Sequence, residues 1–351
     1  MCSTRVWPES AKGTGRFMPL LEVNNLRIRL QTHRGPATAV RDVSFSLERG
    51  HTLGLIGESG CGKSITALSL MGLLPERAQV SGSVRFDGRE LTGADEKIWC
   101  DLRGNRVSMV FQEPMTSLNP VHTIGHQVAE PLRLHKGLSA RQAREEALAL
   151  LNRVGIPDPI KRIDAYPHQF SGGQRQRITI AMALACGPDL LIADEPTTAL
   201  DVTVQAQILA LLGQIRDGGT SIVFVTHDLA TVAEICDRVL VMYAGRIVES
   251  GTVADVFADP QHPYTRGLLA SLLPLGGEPP ETLDAIPGQP PRPEAWPSGC
   301  RFHPRCELWK SLGEPEICVN EDPRPDEDAA HWAACHFAGQ HAGLLARAGK
   351  R

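Results

Sequence analysis

GESGCGKS, residues 57–64, fits the pattern G-x-x-x-x-G-K-[ST] at every fixed position. It lies between an apolar run, HTLGLIG, and a helical run, KSITALSLMGLL, which is the strand–loop–helix context that the pattern requires. Glycines let backbone N–H groups turn inward around phosphate oxygens, and the helix N-terminus adds positive potential. The stretch therefore predicts a nucleotide site, with Lys63 reaching the β- and γ-phosphates and Ser64 ligating Mg²⁺.

The flanking sequence predicts an α/β core with a helical insert. LLEVNNLRIRL and ATAVRDVSFSL alternate like strands, whereas DLLIADE and SIVFVTH are the continuous apolar runs of strands buried on both faces of a parallel sheet. Helical spacing dominates from about residue 123 to 155. We expect the core over about 19–115 and 175–250. Beyond about residue 251 proline and glycine predict a loop-rich extension with little regular structure.

Composition excludes several function classes. The chain has 351 residues, 42% hydrophobic and 22% charged, with a net charge of −4, which gives no reason to expect nucleic acid as a partner. No apolar run approaches the roughly 20 residues of a membrane-spanning helix. The first residues, MCSTRVWPESAKGTGRFM, lack a signal-peptide pattern. We therefore expect a cytosolic chain, in which thiols stay reduced.

A second acidic element narrows the chemistry. DLLIADE places Asp194 and Glu195 at the end of a buried strand. Asp194 there can hold Mg²⁺, directly or through water, and Glu195 can act as general base toward an attacking water. Two acids at a strand end could also form a solvated turn, but a phosphate loop in the same chain favours the metal and base roles.

FSGGQRQR, residues 170–177, predicts a second anion-binding helix terminus. Ser171, Gly172 and Gly173 form a small polar turn that opens the helix QRQRITIAMALA. One nucleotide does not need two such cradles from one subunit. Two subunits arranged head to tail would use both, each closing its turn over the nucleotide of the other.

With these motifs the sequence resembles the ATP-binding cassette (ABC) family over residues 20–250. GESGCGKS resembles Walker A, SGGQ the signature and LLIADE the Walker B strand with its glutamate; Gln112 matches the Q-loop, Asp201 the D-loop and His227 the switch histidine. The resemblance implies an α/β P-loop NTPase fold, an ABC-type nucleotide-binding domain with a helical subdomain at about 116–174. It also implies a nucleotide sandwich that closes on ATP and reopens after hydrolysis.

The resemblance assigns a role to each matching residue. Glu195, His227 and Gln112 are catalytic, with His227 contacting the γ-phosphate and Gln112 joining Mg²⁺ to the helical insert. Mg²⁺ is assigned to Ser64, Gln112 and Asp194. The nucleotide contacts are assigned to Gly57, Glu58, Ser59, Gly60, Cys61, Gly62, Lys63, Ser64, Ile65, Ser171, Gly172, Gly173, Gln174 and Asp201. Cys61 is interpreted as a small spacer.

One feature departs from the family. Its members stack adenine on an aromatic residue upstream of Walker A, but LRIRLQTHRGPATAV contains no Phe, Tyr or Trp. Leu30 or His33 could take that place, so nucleotide preference is the least determined part of the site.

Two further stretches, QEPMTSLNPVHTIGHQVAE and HPYTRGLLASLLP, resemble the oligopeptide/dipeptide importer ATPases. That branch implies a heterodimer with a second, related ATPase subunit, two transmembrane permeases, an extracytoplasmic solute-binding protein, and a peripheral position on the cytoplasmic face of the inner membrane. The cargo could be di- or oligopeptides, nickel or another small solute. A soluble, non-transport ABC protein of translation or DNA repair is disfavoured, since the chain has one cassette and no heptad run.

The tail that begins at GCRFHPRC contains four cysteines, spaced x5, x11 and x16. In a reducing compartment such a group predicts a metal site before disulfides, and both zinc and an iron–sulfur cluster accept four thiolates. The spacing fits zinc pairs poorly, and in the importer family a similar tail is associated with a [4Fe–4S] cluster. A regulatory redox sensor built on this tail is compatible with transport. The ligands would be Cys300, Cys306, Cys318 and Cys335, with His303, His331 and His336 as neighbours rather than ligands.

The expected domain organisation has three parts. Residues 1–18 form an N-terminal segment, residues 19–255 the nucleotide-binding domain, and residues 256–351 a loop-rich, cysteine-containing extension.

Overall fold

The computed structural model describes residues 18–32, 35–198, 200–271 and 286–339. Within these ranges eleven strands form two sheets. The strands are β1 Leu21–Thr32, β2 Gly35–Leu47, β3 Thr52–Ile56, β4 Gln79–Phe86, β5 Arg89–Glu90, β6 Val107–Val110, β7 Leu190–Asp194, β8 Ser221–Thr226, β9 Arg238–Tyr243, β10 Arg246–Thr252 and β11 Trp332–Ala333.

Thirteen α-helices and three short 3-10 helices occur in the same ranges. The α-helices are α1 Lys63–Leu70, α2 Glu96–Leu102, α3 Pro114–Ser117, α4 Ile124–His135, α5 Ala140–Arg153, α6 Pro159–Arg162, α7 Gly172–Leu184, α8 Val202–Asp217, α9 Leu229–Ile235, α10 Val253–Ala258, α11 Pro263–Ala270, α12 Glu307–Ser311 and α13 Ile317–Asn320. The 3-10 helices are Pro167–Gln169, Pro293–Ala295 and His303–Arg305.

The larger sheet has the order β11-β10-β9-β3-β8-β7-β6. Its five strands from β9 to β6 are parallel, whereas β10 and β11 add antiparallel pairs at one edge. Every residue of β3, β7 and β8 is buried, which confirms the parallel core expected from the two apolar runs. Parallel strands end at one common edge, and the loops after β3, β6, β7 and β8 meet there.

The smaller sheet is antiparallel, in the order β2-β1-β4-β5. Leu21 pairs with Leu47 on one side and with Phe86 on the other. These three side chains are buried in one core cluster together with α1 and one face of β3. The separation of this antiparallel sheet from the parallel sheet was not predicted, because strand pairing is a long-range property.

The helical insert follows β6 and forms its own core. Its helices α4 and α5 are capped by Thr123 and Ser139, and Ser139 forms a capping box with Gln142. Apolar residues such as Val128 and Leu151 are fully buried against α7 and α8. The predicted helical region over about 123–155 is confirmed.

The C-terminal extension contains more regular structure than its composition predicted. Helices α10 to α13 lie in it, and Trp332 of β11 pairs with Ser250 to extend the main sheet. Tyr264 and Phe302 are buried in a third core cluster with residues of β9. The described part of the extension beyond residue 285 is still mostly loop, but its short helices and turns contribute buried residues to the core. Such single buried residues lie far apart in sequence, so a search for periodicity misses them.

Some expectations fall on residues that the structure does not describe. The N-terminal segment lies outside the described residues except for Met18, and so do residues 272–285 and 340–351 of the extension. Among the described helices, none has the length and apolarity needed to cross a membrane.

Candidate functional site: a phosphate loop with converging acids

The phosphate loop lies between β3 and α1, as the motif predicted. Lys63 is buried, and its Nζ donates to the carbonyl oxygens of Gly57 at 2.8 Å and Glu58 at 3.2 Å. Gly57 and Gly62 have φ of 151° and 112°. A Cβ on Gly57 would lie 2.1 Å from the carbonyl oxygen of Met242, so only glycine fits there. The loop is thus wound closely around the lysine that would meet the phosphates.

The remaining residues of the loop divide by exposure. Ser59 and Gly60 are exposed at its outer turn, and Ile65 is half-buried in α1. Cys61 is buried, its carbonyl oxygen accepts from the Gly245 N–H at 2.8 Å, and burial raises the pKa of its thiol. A buried, protonated thiol matches the interpretation of Cys61 as a spacer.

Two of the three predicted magnesium ligands, Ser64 and Asp194, meet at this loop, whereas the Gln112 amide contacts Glu195. Ser64 Oγ donates to Asp194 Oδ1 at 3.2 Å, although the two residues are 130 positions apart. Burial raises the pKa of Asp194, and the Glu195 carboxylate adds to this rise, while the Ser64 hydrogen bond and Lys63 oppose it. A bound divalent cation would favour the ionised carboxylate. Hydroxyl and carboxylate oxygens are the donors that Mg²⁺ prefers, so the residues present fit this ion.

Glu195 is contacted from three sides. Its Oε2 lies 2.9 Å from the Thr198 hydroxyl, 3.2 Å from Gln112 Nε2 and 3.2 Å from His227 Nδ1. Its backbone has φ of 47° and its N–H donates to Val225 O at 2.8 Å. A positive φ at a non-glycine residue costs free energy and is held here by the neighbouring strand. The sequence motifs predicted roles for Gln112 and His227 independently. The structure places both side chains against the same atom, Oε2 of Glu195.

The signature turn opens α7. Ser171 Oγ accepts from Gln174 N, and Gln174 Oε1 accepts from Ser171 N at 3.2 Å, which completes a capping box. The first N–H groups of α7 have no acceptor within the helix, and Ser171 and Gly172 are exposed at this terminus. Among the described residues no hydrogen bond joins Ser171–Gln174 to the phosphate loop.

The D-loop residue lies next to the signature helix. Asp201 caps α8 by accepting from Val204 N at 2.9 Å. A Cβ on Gly173 would lie 2.6 Å from Val204 Cγ1, so α7 and the start of α8 are in close contact. Sequence reasoning missed this contact, since the spacing of the two motifs does not show which helices pack.

The C-terminal extension also reaches the phosphate loop, which sequence reasoning missed. Arg305 donates to both carboxylate oxygens of Glu58, at 2.6 Å from Nη1 and 3.0 Å from Nη2. The Tyr264 hydroxyl accepts from Glu58 N at 2.8 Å. Burial alone would lower the pKa of Arg305, but its hydrogen bonds to Glu58 and Tyr243 raise it. The sequence signal for this contact was the second arginine of CRFHPRC, which lies next to Cys306.

The four cysteines of the extension line one cavity. Its volume is about 10 Å³, enough for roughly one water molecule. Among the described residues, no group of three or more His, Cys, Asp or Glu side chains is arranged to hold a metal ion. Four thiols around one cavity are the donor set of a thiolate-bound cluster.

The three neighbouring histidines are each bonded to a protein oxygen. The partners are Cys300 O for His303 Nδ1 at 2.8 Å, Glu321 O for His336 Nε2 at 2.9 Å, and Glu249 Oε1 for His331 Nε2 at 2.8 Å.

Two residues were predicted to replace the aromatic residue that stacks on adenine. Leu30 is half-buried in β1 and packs against the first core cluster, and His33 lies outside the described residues.

Family models match the sequence of this chain, and solved structures match its fold. A model described as ABC transporter matches residues 40–198, and one described as oligopeptide/dipeptide transporter, C-terminal region, matches residues 248–311. The ATP-binding cassette MJ0796, solved as a dimer bound to ADP and Pi, is 27% identical with a TM-score of 0.60; the alignment covers 66% of this chain and 98% of that one. The fold and the site together define an ATP-binding cassette.

Curated relatives narrow the class. The oligopeptide transport ATP-binding protein of Salmonella typhimurium is 51% identical over 317 residues, which cover 90% of this chain and 93% of the relative. Its counterpart from Haemophilus influenzae is 52% identical, covering 83% and 90%. The chain belongs to the family of oligopeptide transport ATP-binding proteins.

Proposed function

We propose that this chain is the ATP-hydrolysing subunit of a membrane importer that takes up di- or oligopeptides. The observation that carries the ATPase is the convergence of Gln112, Thr198 and His227 on Oε2 of Glu195, beside the Asp194–Ser64 pair. This arrangement holds a carboxylate next to a phosphate loop with one oxygen oriented by three neighbours. Such a carboxylate can orient a water molecule and accept its proton.

Each residue then has a distinct task. Lys63 exchanges the Gly57 and Glu58 carbonyl oxygens for phosphate oxygens, and the loop N–H groups bind the rest of the triphosphate. Ser64, Asp194 and Gln112 would hold Mg²⁺, which when bound neutralises charge on the phosphates. His227 orients Glu195 and reaches toward the γ-phosphate. The exposed Ser171 turn is left for the nucleotide of a partner subunit, which agrees with the dimeric state of the solved cassette.

The partners we propose are a second, related ATPase subunit, two permeases, and a solute-binding protein that reaches this chain only through the permeases. Within the helical insert Val121, Leu134 and Ile160 are 73%, 73% and 78% exposed. We assign these three exposed side chains, which follow the Q-loop in sequence, as contacts of a permease helix. Closure on ATP would be transmitted there as a rigid-body rotation. The chain would thus sit on the cytoplasmic face of the inner membrane, with a nucleotide-binding domain at 19–255 and an extension at 256–351.

We further propose that the four cysteines of the extension bind a metal centre, a [4Fe–4S] cluster in preference to zinc. The support is the shared cavity and the all-thiol donor set. The histidines beside it are each hydrogen-bonded to a protein oxygen through one ring nitrogen, and we assign them as neighbours of the thiol donors and not as ligands. Thiolate–metal bonds would tie α12, α13 and β11 together.

Uptake by the complete transporter tests the proposal. The complex is purified through a tag on this chain and reconstituted in vesicles, and ATP-dependent uptake of labelled di- and tetrapeptides is measured with nickel as the competing cargo. Peptide uptake that stops in the Glu195→Gln variant supports peptide import. Nickel uptake alone would reassign the cargo, and co-purification with ribosomes or DNA in place of permeases would reject the transport function.

A further inference from the structure

Both the side chain and the main chain of Glu58 are held by the C-terminal extension. Arg305 grips the carboxylate with two hydrogen bonds, 2.6 and 3.0 Å long, and Tyr264 accepts the Glu58 N–H at 2.8 Å. The Arg305 side chain is 7% exposed and that of Glu58 26%. A bidentate arginine–carboxylate pair fixes orientation as well as distance.

Arg305 is itself held in place. Its Nε donates to Pro287 O at 2.8 Å, and its Nη1 lies 3.4 Å from the Tyr243 hydroxyl. Tyr243 and Tyr264 pack against each other with ring centroids 4.7 Å apart. These contacts hold the Arg305 guanidinium in one position, and its two hydrogen bonds hold the Glu58 carboxylate there.

Glu58 occupies a variable position of the phosphate-loop motif, so the loop pattern does not demand a carboxylate there. Its carbonyl oxygen accepts from Lys63 Nζ and from Cys61 N. A rotation of Glu58 would therefore move the lysine that meets the phosphates and the turn that follows. Small displacements of groups that position a substrate have large effects on binding and rate.

We propose that Arg305 is a positioning residue of the ATP site: through Glu58, and together with Tyr264, it holds the phosphate loop in its nucleotide-binding conformation. The C-terminal extension is then part of the ATP site and not only a metal-binding or structural tail. This inference rests on the proposed ATPase function.

The experiment uses the complete transporter purified through a tag on this chain. Photolabelling of this chain with 8-azido-ATP reports its own nucleotide affinity, and steady-state hydrolysis gives KM and kcat. Arg305→Ala and Glu58→Ala should each weaken labelling and raise KM about 10-fold, with kcat at saturating ATP changed by less than about 3-fold. The double variant should be no weaker than either single variant, since both remove one interaction.

Opposite charges allow a sharp distinction. If these residues acted only as charges near the triphosphate, Arg305→Ala would weaken ATP binding and Glu58→Ala would tighten it. Positioning predicts weakening in both. Arg305→Lys keeps the charge but loses the fork, so it should fall between wild type and Arg305→Ala.

The matched control is Asp322→Ala. Asp322 forms an ion pair with Arg246, which also joins the extension to the cassette but does not contact the phosphate loop. Its KM for ATP should stay within about 2-fold of wild type. If the Arg305→Ala chain does not assemble into the transporter, Glu58→Ala and Arg305→Lys provide the test. The inference is overturned if Glu58→Ala and Arg305→Lys are both labelled like wild type, or if Glu58→Ala is labelled more tightly. If the wild-type complex has no ATPase activity, the proposed function is overturned instead.

Discussion

His227 places Nδ1 3.2 Å from Oε2 of Glu195, although the side chains come from loops after different strands. The His227 side chain is 59% exposed, whereas that of Glu195 is only 12% exposed. The histidine is therefore accessible to an incoming phosphate group on one side and tied to the carboxylate on the other. Gln112, in the loop between β6 and the helical insert, donates to the same oxygen. Movement of the insert and binding of a phosphate group at His227 would therefore both change the surroundings of Glu195 Oε2.

Glu195→Gln should leave ATP binding intact and reduce hydrolysis at least about 100-fold, because the amide keeps the shape of the side chain but cannot accept a proton. The measurement is phosphate release by the complete transporter, with labelling by 8-azido-ATP as the binding control. Glu234→Gln, at an exposed position on α9, should hydrolyse ATP like wild type. Turnover within about 10-fold of wild type in Glu195→Gln would contradict the general-base role.

Gly173→Ala should disturb the packing of the signature helix on α8, because the new methyl group would lie 2.6 Å from Val204 Cγ1. We expect a loss of about 1–3 kcal/mol in the free energy of unfolding, measured by urea denaturation. Gly213→Ala is the control, since its methyl group would meet nothing within 4 Å. That variant should be neutral or more stable by up to about 1 kcal/mol; equal stability of Gly173→Ala and wild type would contradict the close contact.

Asp87 links the two sheets of the cassette through Arg106, which also binds Asp189 at 2.6 Å. Burial alone would raise the pKa of Asp87, but Arg106 and Arg49 lower it below its usual value. The unfolded chain then binds more protons near pH 4 than the folded chain does. The stabilisation is present above that pH and is lost as pH falls through the lowered pKa.

Asp87→Asn should therefore be less stable by at most about 1 kcal/mol at pH 7, since the pair is partly exposed. The difference from wild type should shrink as pH falls below about 4. Urea denaturation at pH 3 to 7 measures this, with Asp101→Asn, at an exposed position, as control. A difference that grows toward low pH would contradict the assigned ion pair.

The cysteine site predicts a metal content. Protein purified without oxygen should contain about four iron atoms and four acid-labile sulfides per chain, measured by elemental and sulfide analysis. Cys306→Ser, at a buried position, should lower both, and Cys100→Ser, at an exposed position, should lower neither. If the analysis finds one zinc per chain and no sulfide, the site is a mononuclear zinc site and not a cluster. If it finds no metal, the proposed metal site is wrong.

Much of the fold was predictable because its signals are local. The residues of β3, β7 and β8 are continuously apolar, and the phosphate loop has fixed spacing within eight residues. The order of strands and the division into two sheets were not predictable, because they depend on pairing between distant segments. The helices of the extension escaped because each has only one or two turns and too few apolar positions for a period.

The sequence by itself determined the chemistry available: the lysine and serine of the loop, the two acids at the end of β7, and the serine–glycine turn, since each depends on neighbours a few residues away. Only the tertiary structure decided which of these groups meet. Gln112 and Glu195 are 83 positions apart, and Glu58 and Arg305 are 247 apart. Such pairs form when sheets and helices bury their apolar faces together, and no local pattern specifies which distant side chains this packing brings into contact.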